Sequence, residues 1–330
     1  MKVPFQNRGD WRHTQSQKVI DARGQRWNVN PERVNAAFQE VEWTTPDSAV
    51  QINTLLLANR ECPWRCVMCD LWKGTLKYTV TPEEITHQIR EALASLPEAP
   101  WIKLYNSGSF FDRAAIPTEA HAPIIQLVQA YENIIVENHP RLVRPDIQDF
   151  VEKIDGSLEV AMGLESANPE ILWRLNKGFD LKHFADSCAL LQCMGIRIRA
   201  FVLIHPPWTE NRIQAVQDTV ETARFANECG VGTISLVPVR GGDGILASLE
   251  KDGHFREPDM YEIRECASAA ASVFDGRLQI DLWDIKRFSR CSHCEGGMIE
   301  AFEHFNRFGK FPNDRKPGCP LCGSGHSTTE

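Results

Sequence analysis

Three cysteines stand within eight residues of one another in Arg60-Glu61-Cys62-Pro63-Trp64-Arg65-Cys66-Val67-Met68-Cys69-Asp70, spaced Cys-x3-Cys-x2-Cys. Thiolates this close can wrap one compact metal cluster. In a [4Fe–4S] cluster they would leave one iron without a protein ligand, and that iron can take an exogenous chelate. Structural zinc asks for a fourth protein ligand, and its cysteines come as CxxC pairs. The bland alternative is three isolated structural cysteines. A second group lies near the end of the chain, Cys291-Ser292-His293-Cys294 and Cys319-Pro320-Leu321-Cys322, with 24 residues between the pairs. Two CxxC pairs match a tetrahedral four-cysteine site, with zinc as first choice. A second, auxiliary [4Fe–4S] cluster and unligated thiols remain open. The glycines Gly318 and Gly323 suit a zinc-ribbon turn. A tail of this length buries little, so metal would supply its folding energy. Phe302, Phe305, Phe308 and Phe311 recur every three residues and read as ribbon core, as docking onto the main body, or as base-stacking aromatics.

What positions the first triplet is the segment before it. Residues 50–58 (VQINTLLLA) read as a buried strand, and the cysteines follow its tip. Further strands are expected at 101–105, 134–137, 158–164, 197–204, 233–239 and 278–282. Helices are expected at 81–95, 123–131, 144–154, 180–194, 211–229 and 259–274. The start signal Thr81-Pro82-Glu83-Glu84 and the stops Gly195 and Gly230 punctuate them. Strands that are apolar throughout, alternating with helices, argue for a parallel sheet covered by helices. Six or so units are few for an eight-unit barrel, so the expected fold is α/β, a partial (β/α)6 TIM-type barrel. Ligands of such sheets sit at the C-terminal strand ends. The unusual residues fall there: the Cys62 loop, Asn106–Ser109, Glu137–His139, Glu165–Ser166, His205 and 240–244. The expected division is a basic extension (1–45), the barrel (46–285) and a four-cysteine tail (286–330).

Composition narrows the function. The 330 residues are 42% apolar and 24% charged, which excludes wholesale disorder. No window approaches a membrane span, and the N-terminus lacks the apolar core of a secretory signal. A cytoplasmic protein without a membrane partner is expected. In such a reducing compartment, clustered thiols hold metal or do chemistry. The other four of the eleven cysteines, Cys188, Cys193, Cys229 and Cys266, read as small buried apolar residues. Net charge is −8, unevenly spread: +4 over residues 1–34, +2 over 286–330 and −14 between. The body is no general nucleic-acid binder, although its ends could touch phosphate. Solvated termini are the favoured reading of those ends.

The triplet resembles the cluster-binding motif CxxxCxΦC of the radical S-adenosylmethionine (radical SAM) superfamily, with Met68 at Φ, over roughly residues 50–285. The resemblance implies that Cys62, Cys66 and Cys69 ligate three irons and that SAM chelates the fourth. It implies reductive cleavage of SAM to a 5′-deoxyadenosyl radical, with an external electron donor of flavodoxin or ferredoxin type. The turn Asn106-Ser107-Gly108-Ser109 departs from the Gly-Gly-Glu-Pro-like turn of many members, so backbone carbonyls or serine hydroxyls would receive the SAM ammonium. Gly163-Leu164-Glu165-Ser166 resembles the strand end whose acid or amide contacts the ribose. Glu165 is the candidate there; a helix-capping role is its plain alternative.

Arg199, mid-strand among apolar residues, needs an anion, and the SAM carboxylate would be one; facing outward into solvent is the alternative. Val239 would pack the adenine. Glu137, Asn138 and His139 are candidate substrate or SAM contacts, against a locally stabilised Asn-His-Pro turn. His205, at a strand end, is a further candidate. Asn-Ser-Gly-Ser-Phe-Phe-Asp, Val-Glu-Asn-His-Pro and Gly-Leu-Glu-Ser together resemble the branch of archaeosine-forming radical SAM subunits and Elongator-subunit-3-like Fe–S oxidoreductases. That resemblance implies a modified nucleobase or tRNA substrate. The acidic body favours instead a small metabolite or peptide, and a non-catalytic metal-binding interaction protein is the reading of another class.

Overall fold

The computed structural model describes residues 8–312. Helix α1 (Arg8–Asp21) leads to a hairpin of β1 (Ala36–Thr45) and β2 (Ser48–Leu56). The chain then alternates through α2 (Pro82–Ser95), β3 (Trp101–Tyr105), α3 (His121–Val128), β4 (Asn133–Glu137), α4 (Gln148–Val151) and β5 (Ser157–Glu165). It continues with α5 (Pro169–Arg174), α6 (Leu181–Cys193), β6 (Arg197–Ile204), α7 (Arg212–Glu228) and β7 (Thr233–Pro238). Helices α8 (Ile245–Lys251) and α9 (Met260–Ala270), strand β8 (Arg277–Ile280) and α10 (Ser292–Phe308) complete it. All eight strands join one sheet in chain order, β2 to β8 parallel and β1 antiparallel on the edge of β2. The result is a nearly closed barrel, with helices packed on its outer face through residues such as Ile89, Val128, Leu191 and Ile263.

Local chemistry sets the helix starts. Thr81 and Glu84 form a reciprocal capping box, and Asp180, Asn211 and Asp259 each accept a backbone N–H of their helix. Residues 144–154, expected as one helix, form a 3₁₀ turn (Pro145–Ile147) followed by the short α4.

Strand β1 and helix α10 are the additions. Residues 36–45, expected in the basic extension, are hydrogen-bonded along β2 as part of the sheet. Residues 292–308, expected within a zinc ribbon, are one helix. It packs on both β1 and β8 and so spans the gap between the first and last strands. The Asn306 amide donates to the Ile280 carbonyl and accepts from its N–H, at 2.9 and 2.7 Å, occupying the free edge of β8. Of the four phenylalanines, Phe302 and Phe305 are fully buried against the barrel and Phe311 stacks on Phe305, so docking is the arrangement adopted. Cys291 caps α10 and Cys294 lies in its first turn; Cys319 and Cys322 lie outside the described residues.

Side chains pointing into the lower barrel are charged. Arg199 donates to Glu42 through both terminal nitrogens (2.9 and 2.8 Å) and to Glu159 through Nε (2.6 Å). Lys103 pairs with Glu40 at 2.9 Å and also with Glu42, and Arg277 adds a longer contact to Glu42 at 3.4 Å. Burial works against ionising Glu42, but Arg199 and Lys103 outweigh it and hold the carboxyl well below its usual range. Arg199 is therefore not solvated, and protein carboxylates occupy the place expected for a SAM carboxylate, one of them on the hairpin strand the sequence reading did not contain.

Candidate active site

The cysteine loop leaves the C-terminal end of β2 and folds over the barrel mouth. Two neighbours fix it. Trp64, between Cys62 and Cys66, stacks on His139 with ring centroids 3.5 Å apart. Gly178 abuts the Cδ1–Nε1 edge of the Trp64 ring, where a β-carbon would collide with the indole. The segment 175–178 also holds the loop by backbone: Val67 donates to the Leu175 carbonyl (3.0 Å), and the Asn176 amide donates to that of Arg65 (2.8 Å). Arg23 and Arg26, from the stretch after α1, converge with Arg65 on Glu61 beside Cys62. Burial pushes the three thiols up, Cys62 and Cys66 to about 11 and Cys69 to about 12, so metal binding must displace their protons. Among the described residues, no three His, Cys, Asp or Glu side chains converge tightly enough to hold a single metal ion. A cubane asks for something else, one thiolate on each of three irons.

Around the loop stand the other strand ends. Glu137 ends β4, and its carboxylate accepts the backbone N–H groups of Asn106 (2.8 Å) and Ser107 (3.0 Å), with Gly108 adding a third. Burial nevertheless raises this carboxyl to about 7. Glu137 thus pins the turn after β3, bringing Gly108 against Cys62; a β-carbon there would lie 3.5 Å from that of Cys62. Asn106 is fully buried and both its amide atoms lack a protein partner. Glu165 ends β5 in the left-handed region (φ +68°), paired with Lys177 at 2.8 Å. Lys177 is buried; burial opposes its charge, but Glu165 and Cys66 reverse that and raise its pKa. Gly163 makes room for the pair, because a β-carbon at this interior position would overlap the Glu165 carboxylate. Helix capping falls to Asn168, which accepts the Glu170 and Ile171 N–H groups, so Glu165 is free of that role.

Other expected residues make contacts within the protein. His139 donates from Nε2 to the Lys177 carbonyl (2.7 Å) and accepts at Nδ1 from Arg141 N–H (3.2 Å). Asn138 accepts from Phe111 N–H, and the Ser109 hydroxyl accepts from His139 N–H. Met68 and Val239 pack in one apolar cluster with Val67 and Leu203 at the mouth. His205 Nδ1 meets Glu262 at 2.6 Å, and its buried Nε2 lacks a protein partner.

The Radical SAM superfamily profile matches residues 57–220. The chain belongs to the radical SAM superfamily. It is 25% identical over 228 residues to an uncharacterized protein of Methanocaldococcus jannaschii, covering 64% of this chain and 62% of that one. It is 28% identical over 166 residues to archaeosine synthase subunit beta of Thermococcus kodakarensis, covering 48% and 51%. The aligned regions thus take in about half to three-fifths of those relatives' lengths. Among solved structures, methylornithine synthase shares the fold at TM-score 0.52 and 10% identity, covering 99% of this chain and 84% of that one. Methanocaldococcus infernus Elp3 with an N-terminal deletion shares it at 0.50 and 16%, covering 76% and 63%.

Family membership implies an enzyme that uses a [4Fe–4S] cluster and SAM, and the donor set of the radical SAM barrel suits both. The sequence reading missed Lys177. It sits between Asn176 (φ +60°) and Gly178 (φ +83°), a doubly left-handed stretch that reads as an ordinary turn before α6. The glycine inside β5 was the available signal, since an interior strand glycine marks a close approach.

Proposed function

We propose that this chain is a radical SAM enzyme acting on a modified nucleobase, in tRNA or as a nucleoside. The observation that carries the reading is the meeting of Cys62, Cys66 and Cys69 with buried, unsatisfied polarity at one barrel mouth. The three thiolates would hold the cluster. When bound, the cluster and SAM supply a 5′-deoxyadenosyl radical for hydrogen abstraction. The chain's own task is to bind, orient and exclude water. Asn106 Oδ1 accepts from the SAM ammonium while Glu137 keeps the turn in place. Lys177 has one side-chain partner and three N–H donors, so it receives the carboxylate in the role first given to Arg199. Glu165 is assigned to the ribose, and Val239 to the adenine through its apolar surface. An external flavodoxin- or ferredoxin-type donor delivers the electron, and zinc binds Cys291, Cys294, Cys319 and Cys322.

The basic ends of the chain and the likeness to archaeosine synthase subunit beta support the nucleobase substrate. No helix among the described residues is long and apolar enough to cross a membrane. The test is anaerobic reconstitution with iron, sulfide and zinc counted, followed by SAM and dithionite. 5′-Deoxyadenosine is expected; cluster without SAM cleavage would leave a metal-binding interaction protein instead.

A further inference from the structure

The link from β6 to α7 carries two residues in the left-handed region within four positions, His205 (φ +55°) and Trp208 (φ +68°). Side chains of this size rarely adopt that backbone, and it persists only where surroundings impose it. Here they do. His205 is tied to Glu262, both fully buried, and Glu262 is paired with Arg256 at 2.8 Å. Trp208 N–H donates to the His254 carbonyl at 2.7 Å. The bend presents the Trp208 indole to a cleft of about 480 Å³ between α1, α5 and α8. Trp173, Arg174 and Lys18 line it too, with Asp252 as the one carboxylate among the described lining residues; Arg174 is paired with Glu170 at 2.6 Å through one nitrogen, and its guanidinium lies 5.7 Å from the Trp208 ring centre. That volume is within the range of small-ligand sites.

The cleft adjoins the active site. Its apolar side chains, Ile245, Leu249 and Trp208, pack against the cluster that contains Val67 of the cysteine loop. Its α1 wall belongs to the first 34 residues, which carry +4 on a chain of net charge −8. The Trp208 indole offers a π-face to a planar ring, and a lysine and an arginine offer donors to phosphate oxygens.

We propose that this cleft is a nucleotide subsite for a single-stranded segment of the substrate, with a base stacked on Trp208 and its phosphate held by Lys18 and Arg174. It rests on the nucleobase reading above and says where the strand runs beyond the reacting base.

The test is fluorescence anisotropy with the cluster-reconstituted full chain and a labelled oligoadenylate of roughly 12 nucleotides, within the site size of single-strand binders. Binding that weakens steeply with salt is expected. Trp208→Ala should weaken it about tenfold, with Trp208→Phe retaining most of the affinity. Lys18→Gln, on the surface of α1, should lower the salt slope by about 0.7, one phosphate's share. Unchanged iron content and melting temperature would show that each variant is folded. Wild-type-like binding by both Trp208→Ala and Lys18→Gln overturns the cleft while leaving the nucleobase reading standing. No binding by wild type overturns the cleft and leaves the nucleobase reading only with a free nucleoside as substrate. Displacement by polyglutamate as effective as by unlabelled oligoadenylate overturns base stacking and leaves only charge.

Discussion

In the lower half of the barrel, Glu42, Glu159, Lys103 and Arg199 are buried and each finds an opposite charge. At the upper mouth, Asn106, built on the end of β3, and His205, built on the end of β6, are just as buried but keep polar atoms that no protein group satisfies. The same strands carry both regions, so the fold does not force the difference. A satisfied polar network holds a barrel together, whereas orphaned polarity is costly and persists where a ligand completes it. Orphaned polarity is not confined to the mouth, since Arg277 Nε and Asn133 Nδ2 lack partners at the opposite strand ends; it marks the site only where it stands beside the three thiols.

The contrast can be broken by substitution. Cys66→Ala should have the largest effect, loss of the cluster of about four irons and of all SAM cleavage, read by iron analysis and 5′-deoxyadenosine formation. Next is Arg199→Met, which strips Glu159 of its cation and leaves Glu42 only Lys103 and the longer Arg277 contact, and should cost about 3–5 kcal/mol in denaturant unfolding while SAM affinity stays put. Weakened SAM binding at unchanged stability would instead erase the distinction between the two halves. Gly163→Ala should cost about 1–3 kcal/mol by overpacking the Glu165–Lys177 pair, and unlike Arg199→Met it should also weaken SAM binding in equilibrium dialysis.

The smallest effect is with pH. Glu137, raised to about 7 from an ordinary 4.5, keeps in the fold a proton that the unfolded chain releases. Its contribution is fully present below pH 4.5 and is lost as pH rises to about 7, so the metal-free protein should be more stable at the acid end of that window. Asp218, raised to about 6 by burial, adds the same sign. The part due to Glu137 is the slope that Glu137→Gln removes from melting curves.

Much of the site was legible locally. The Cys62–Cys69 spacing, the strand ahead of it and the Gly-Leu-Glu-Ser strand end lie within short windows, and helix starts at Thr81, Asp180, Asn211 and Asp259 follow from capping chemistry at neighbouring residues. Strand β1 was missed because Ala36–Thr45 alternates polar and apolar residues beside a basic segment, unlike the apolar parallel strands. Helix α10 was missed because its CxxC pair suggested a ribbon, while its amphipathic face waits for a barrel edge to cover.

Sequence alone determined which atoms can ligate metal and where the chain turns from strand to helix, since both depend on residues a few positions apart. Tertiary structure decided which charges are spent. Arg199 lies 157 residues from Glu42 and still meets it, whereas Lys177, twelve residues from Glu165, is left facing the thiols. Pairing in a low-dielectric interior depends on who arrives within about 3 Å, and only the closed sheet fixes that.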